Sequence, residues 1–222
     1  MVPRAIGNTW QAAYDARMFT RMHHEKIDYV SQWMFTTRGI WEGIPSVSQQ
    51  VALLVSRMAG ARAVEISPPV VKGNTEIGAL SAYRKEENKL YLLFYAYSDS
   101  VYQNGVCTLH CVVNGLNKQL SGVRATSTLV SDDSNFFDEW EADRVSWGVS
   151  DKDFGWSSGS YVIGPPTLTN AVYLDAFQNR SHFYQSCARL RSVSEPLPIS
   201  DGRLSFTFCL PHHGVILYEL EL

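Results

Sequence analysis

The sequence predicts an α/β layered piece over residues 1–62 followed by an all-β antiparallel sandwich over residues 63–222. Three observations carry that division. Residues 9–58 read as helix, buried strand, helix, whereas from residue 61 onward short β-type runs alternate with polar turns. A chain of 222 residues with 45% hydrophobic positions is also long enough to bury a core of that size.

Taken in order, Asn8 with Gln11 three residues on has the form of a capping box, and Ala12, Ala16, Phe19 and Met22 follow at helical spacing, so a helix is expected over 9–24. Residues 27–35, Ile-Asp-Tyr-Val-Ser-Gln-Trp-Met-Phe, are β-branched, aromatic and apolar at too many positions for a half-exposed strand. They read as a buried strand, which needs cover on both faces. After a loop with Gly39 and Gly43, Ser46 and Gln49 make a second capping box behind Pro45. Val47, Val51, Leu54, Val55 and Met58 form one apolar stripe, and Gly60 stops the helix.

Strands are expected at 79–84, 90–97, 106–113, 123–131, 171–177, 204–210 and 215–220, with Asn104-Gly105 and Asn114-Gly115 as turn dipeptides and 86–89 as a charged loop tip. Residues 134–147 break this pattern. Phe136, Phe137 and Trp140 predict a short helix behind an Asp132-Asp133-Ser134 start, tethered by side-chain to backbone bonds of Asn135 and Asp143.

Charge and motif content exclude several classes of function. Nineteen basic against 22 acidic residues give a formal charge of -3, so no global basic field draws nucleic acid or an anionic membrane. The longest apolar runs fall short of the roughly 20 residues that span a bilayer, and Met1-Val2-Pro3-Arg4 leads into no apolar signal core. A soluble chain of undecided compartment is expected. The four cysteines lack CxxC spacing. Cys107 and Cys111 on one strand would stand about 13 Å apart, beyond the roughly 7 Å limit of a disulfide, so buried reduced thiols are expected. Of the six histidines, His110 and His182 stand alone and the others occur as His23-His24 and His212-His213, whose adjacent side chains do not converge on one ion, so neither metal nor cofactor is expected. No phosphate-loop motif occurs. The GxSxG at 155–159 runs into Tyr-Val-Ile-Gly-Pro-Pro, which cannot form the helix a nucleophile elbow needs.

The remaining candidates are carboxylates and aromatic rings. Glu42 stands in the loop after the buried strand, the side on which α/β folds keep their chemistry, whereas Glu25 and Asp28 sit before or at its start. Trp33, near the strand's C-terminal end, offers an indole face for a sugar ring and one hydrogen-bond donor. Phe136, Phe137, Trp140, Trp147, Phe154 and Trp156 cluster in sequence and offer either a carbohydrate platform or a helix packed on a sheet, and the spacing of Phe136 and Trp140 favours packing.

The order of these elements, namely a helix, the strand at 27–35, the Trp41-Glu42-Gly43 loop, a helix ending Arg57-Met58-Ala59-Gly60 and then a sandwich, resembles the C-terminal part of glycoside hydrolase family 39, the family of β-xylosidases and α-L-iduronidases. The strand at 90–97, the strand ending Val112-Val113-Asn114-Gly115-Leu116 and the segment Asp132-Asp133-Ser134-Asn135-Phe136-Phe137-Asp138-Glu139-Trp140 add to the likeness. The resemblance implies that residues 1–62 are the end of a (β/α)8 TIM barrel and that the activity is retaining hydrolysis of O-glycosyl bonds. In that family the acid/base Glu follows the fourth barrel strand and the nucleophile Glu the seventh. This chain is expected to begin after the seventh, so both catalytic Glu lie upstream, no residue here takes either role, and the chain alone is inactive. Trp33, Gln32 and Glu42 are then the expected substrate-binding residues. The expected partners are a carbohydrate and the missing upstream barrel segment. The alternative is a non-catalytic carbohydrate-binding or structural sandwich, for which Tyr95, Tyr97, Tyr102, Trp147 and Trp156 would have to be exposed.

Overall fold

The computed structural model describes residues 8–27, 43–67, 69–150, 168 and 170–222. Among them are helices α1 (Thr9–His24), α2 (Val47–Arg57), α3 (Phe137–Ser146) and α4 (Ala171–Cys187). The strands are β1 (Arg62–Ala63), β2 (Val70–Lys72), β3 (Thr75–Arg84), β4 (Lys89–Ser98), β5 (Val106–Val113), β6 (Gly122–Val130), β7 (Ser192–Ser200), β8 (Arg203–Pro211) and β9 (Val215–Glu221). They form one curled sheet in the order β1-β3-β4-β9-β6-β7-β8-β5, with β2 beside β3 and every pairing antiparallel.

β4 explains why the sheet is covered on both sides. Its side chains alternate across the sheet, yet every position after Lys89 is buried. Leu90, Leu92, Phe94 and Ala96 face the inside of the curl, where they meet Ile216, Tyr218 and Leu220 of β9 and Leu204, Phe206, Phe208 and Leu210 of β8. The aromatic rings there interlock, with centroids 5.0 Å apart for Phe94 and Phe208 and 5.2 Å for Phe208 and Tyr218. β8 alternates strictly between buried and exposed, as a strand with one wet face must.

Tyr91, Leu93, Tyr95 and Tyr97 face the other way, under α1 and α2. Ala12, Ala13 and Ala16 on α1 are small enough to let the helix approach these large rings, and Val47, Val51 and Leu54 continue the cover on α2. Gly78 is part of the same fit, because a Cβ there would lie 2.2 Å from the Tyr95 Oη. The two helices are also tied to each other through Asp15, whose buried carboxylate accepts from Ser48 Oγ at 2.6 Å. A third cluster packs α3 against α4 through Phe137, Trp140, Phe177 and Tyr184. The two long helices expected at 9–24 and from Val47 are thus present. The strand expected at 27–35, apart from Ile27, lies outside the described residues, as does the GxSxG segment.

Several local expectations are corrected. Residues 171–177, expected as a strand, open the helix α4. The β-branched and aromatic start Ala-Val-Tyr-Leu misleads, but Phe177 and Tyr184 recur at seven residues, and the Asn170 side chain caps the helix by accepting from the Val172 N–H. β7 was hidden by Pro196 and Pro198. Over residues 192–198 it has β6 on one side and no described strand on the other, an edge where a missing N–H is tolerated. The helix expected from 134 starts at Phe137, because Asp132–Ser134 closes into a 3-10 turn and the Asn135 side chain accepts from the next two N–H groups. Asn8 caps α1 alone, since Gln11 turns its amide to Asp15. The cysteines are free but not deeply buried: Cys107, Cys111 and Cys187 are half-buried, and Cys209 is exposed on the wet face of β8.

Candidate functional site at the N-terminal end of α2

After Glu42, which lies outside the described residues, the described structure resumes at Gly43, whose φ of +85° suits a glycine. The chain then turns through Ile44 and Pro45 into α2. There the Ser46 Oγ accepts from the Gln49 N–H at 3.1 Å and the Gln49 Oε1 accepts from the Ser46 N–H at 2.9 Å, the reciprocal cap expected from the sequence. This start of α2 faces the C-terminal end of α4 across a cavity of about 780 Å3. Ile44, Pro45 and Leu53 form one wall, and Gln185, Arg189 and Leu190 the other.

Gln50 sits at the join between the two walls. It is 2% exposed, and its Nε2 donates to the carbonyls of Ser134 and Ala188, both at 2.7 Å. Its Oε1 is buried and has no hydrogen-bond partner among the described residues. Arg189 is exposed, and among the described residues no carboxylate pairs with it. The cavity therefore combines an apolar wall with amide and guanidinium groups, the mixture that holds the apolar face and the hydroxyls of a sugar.

The second wall is held by a separate polar lock. Tyr184 Oη donates to Asp143 Oδ2 at 2.7 Å, and the Arg180 guanidinium stands 2.6 Å from the same oxygen, joining α4 to α3. Asp143 thus tethers α3 through side chains rather than through the backbone as expected. Burial, and then the bond to Asp143, push the Tyr184 phenol well above its ordinary range, so it acts as a fixed donor.

A carboxylate cluster also lies between α1 and the sheet. Glu76, 8% exposed, accepts from Tyr95 Oη at 2.8 Å, Arg17 Nε at 2.9 Å and Arg21 at 3.2 Å. With one oxygen on a phenol and the other on two guanidiniums, Glu76 clamps α1 to the sheet. Tyr97 donates to Asp99 at 2.8 Å, and burial pushes its phenol up to about 12.

Gln32, Trp33 and Glu42 all lie outside the described residues, so the structure places none of them; it places Gly43, the next residue after Glu42, on the cavity wall. Sequence reasoning missed Gln50, Gln185 and Arg189. The only signal for Gln50 was its position beside a capping residue, and residues 178–191 were assigned to no element. Of the rings a sugar-binding sandwich would expose, Tyr95 and Tyr97 are buried under α1 and Tyr102 is 83% exposed. Among the described residues no three His, Cys, Asp or Glu side chains converge on a metal site, and no helix is long and apolar enough to cross a membrane.

No protein-family model matches this chain, and no curated protein does. Solved structures do. The GH39 enzyme from Xanthomonas axonopodis pv. citri superposes with a TM-score of 0.56 at 11% identity, over 100% of this chain and 42% of the enzyme. A bacterial orthologue of human α-L-iduronidase superposes with a TM-score of 0.60 at 14% identity, over 98% of this chain and 38% of that one. At these identities the likeness is one of fold: this chain has the architecture that two glycoside hydrolases carry over about two fifths of their length.

Proposed function

We propose that this chain is the C-terminal part of a retaining O-glycosidase of β-xylosidase-like type. In this reading residues 1–62 complete a (β/α)8 barrel, the curled antiparallel sheet of residues 63–222, which the sequence suggested as a sandwich, braces it, and both catalytic Glu belong to an upstream segment. The observation that carries the reading is the likeness over nearly the whole of this chain to less than half of two glycoside hydrolases. Retaining hydrolysis needs one carboxylic acid to protonate the leaving oxygen and a carboxylate about 5 to 5.5 Å away to attack the anomeric carbon. Among the described residues, the buried carboxylates Asp15 and Glu76 are held by Gln11 and Ser48 and by Arg17, Arg21 and Tyr95 respectively, as parts of the packing of α1.

The contribution of this chain would be to hold the sugar. In this reading Trp33 stacks on the ring, and Gln32 and Glu42 bond its hydroxyls. Gln50, Gln185 and Arg189 extend that polar wall from α2 and α4. In a preparation active on aryl glycosides, Trp33→Ala is expected to raise KM about tenfold or more, the loss of one stacked ring and its contact area. Glu42→Gln is expected to raise KM with kcat retained. Loss of turnover in Glu42→Gln would make Glu42 a catalytic carboxylate and overturn the placement of both catalytic groups upstream.

A further inference from the structure

Where β8 turns into β9, His212 lies across the start of β5. Its backbone N–H donates to the Gly105 carbonyl at 3.0 Å, and its ring rests beside Gly105, where a Cβ would stand 3.5 Å from the ring Cδ2. The two ring nitrogens meet different groups. Nδ1 is 3.2 Å from Oγ1 of Thr75, the first residue of β3, and Nε2 is 3.8 Å from Sγ of Cys107, the second residue of β5. Thr75 is buried, whereas Cys107 and His212 are half-buried. A neutral imidazole has one donor and one acceptor nitrogen, so a proton on Nδ1, donated to Thr75, leaves the Nε2 lone pair facing the thiol. Segments far apart in sequence thus set a hydroxyl, an imidazole and a thiol in a row, the order in which a base is held against a nucleophile.

The other thiols lack this arrangement. Among the described residues none of Cys111, Cys187 and Cys209 has an imidazole in hydrogen-bond contact. Burial pushes the Cys107 thiol above its ordinary range against the opposing charge of Lys72, so near neutral pH it stays protonated and reacts slowly by ionisation alone. A base in contact removes that limit, because the proton leaves as the new bond forms. We propose that Cys107 and His212 form a nucleophilic pair that adds to soft carbon electrophiles of the α,β-unsaturated carbonyl class, with Thr75 as the positioning residue. The Cys107 sulfur bonds to the β carbon while its proton passes to the His212 Nε2. The electron pair of the C=C bond shifts to give an enolate, and the imidazolium returns the proton at the α carbon. One thioether forms, one C=C bond is consumed and His212 ends neutral as it began, with no oxidant, reductant or leaving group.

The exposed Cys209, which meets reagents freely but has no base, is the internal reference. Substoichiometric N-ethylmaleimide followed by peptide mass spectrometry reads each thiol separately in the folded chain. At about pH 7 Cys107 is expected to react at least as fast as Cys209 and about tenfold or more faster than Cys111 and Cys187. His212→Asn is expected to slow Cys107 about tenfold or more and to leave Cys209 unchanged. A thiol that reacts through its own ionisation gains about tenfold per pH unit below its pKa, so between about pH 7 and pH 8 the variant is expected to gain about tenfold at Cys107 and the wild type about threefold or less. A merely structural His212 would not flatten that profile. Thr75→Val is expected to slow Cys107 and Thr75→Ser to restore it. Circular dichroism checks that the variants fold, and if His212→Asn does not, the wild-type profile decides alone. A wild-type Cys107 slower than Cys209, a wild-type gain of about tenfold per pH unit, or equal rates at Cys107 in wild type and His212→Asn overturns the proposal.

Discussion

At the scale of single residues, His213 shows how a buried imidazole makes stability depend on pH. It is 4% exposed, at a left-handed φ of +62°, and its Nε2 donates to the Ser100 carbonyl at 3.0 Å. The Nδ1 is buried without a partner, so the folded protein holds the neutral ring. Burial lowers its pKa, His212 adds to that, and the bond to Ser100 and the charge of Asp132 oppose it. In the unfolded chain the ring titrates near about 6.5, so below that pH the unfolded state takes up a proton that the folded state resists. The stability is present above about pH 6.5 and is lost as pH falls from there through the lowered folded value. Thermal unfolding between about pH 7 and pH 5 is expected to show a falling midpoint that flattens in His213→Asn, since Asn tolerates the left-handed backbone. An unchanged slope in that variant would mean other groups set it. None of this is readable from His212-His213 as a dipeptide, where the two rings look equivalent.

At the scale of elements, legibility followed how far each segment's local signals agreed. α1 was readable because the Asn8 cap, the alanine spacing and the polar end at His23-His24 all point to one helix. β5 was readable from a β-branched run between the turn dipeptides Asn104-Gly105 and Asn114-Gly115, and β8 from its alternating aromatic and leucine positions. α4 was not, because its first turn has strand composition and only the later Phe177 and Tyr184 declare the period. Gln50 is the clearest case of a contact that local signals cannot show: its partners Ser134 and Ala188 are far away in sequence, and it joins α2 to the start of α3 and the end of α4. Gln50→Leu keeps the volume but leaves two buried carbonyls unpaired, and is expected to cost about 1 to 3 kcal/mol in denaturant unfolding. A loss well under 1 kcal/mol would show that the two carbonyls find other donors.

At the scale of the whole molecule, the sequence showed an antiparallel β region behind a helical start, and the structure has one. What it did not show is that the sheet runs unbroken from β1 to β5 through β7, so that α1 and α2 and the inner core share the two faces of a single curled layer. That continuity depends on β7, the proline-bearing strand, whose last two residues pair with β8 while the rest pair with β6. The candidate site was legible only as a place, the stretch of sequence next to Gly43; the groups that furnish its described walls come from α2 and α4, which meet only in three dimensions.

The central claim is that this fold serves a glycosidase whose reacting carboxylates lie outside the chain. Its most direct test is turnover of aryl xylosides, glucosides, arabinosides and uronides by this chain beside the same chain extended upstream by a complete barrel. Turnover in the extended protein alone is the predicted result. Turnover by the chain of 222 residues would contradict the claim and place the catalytic pair within it.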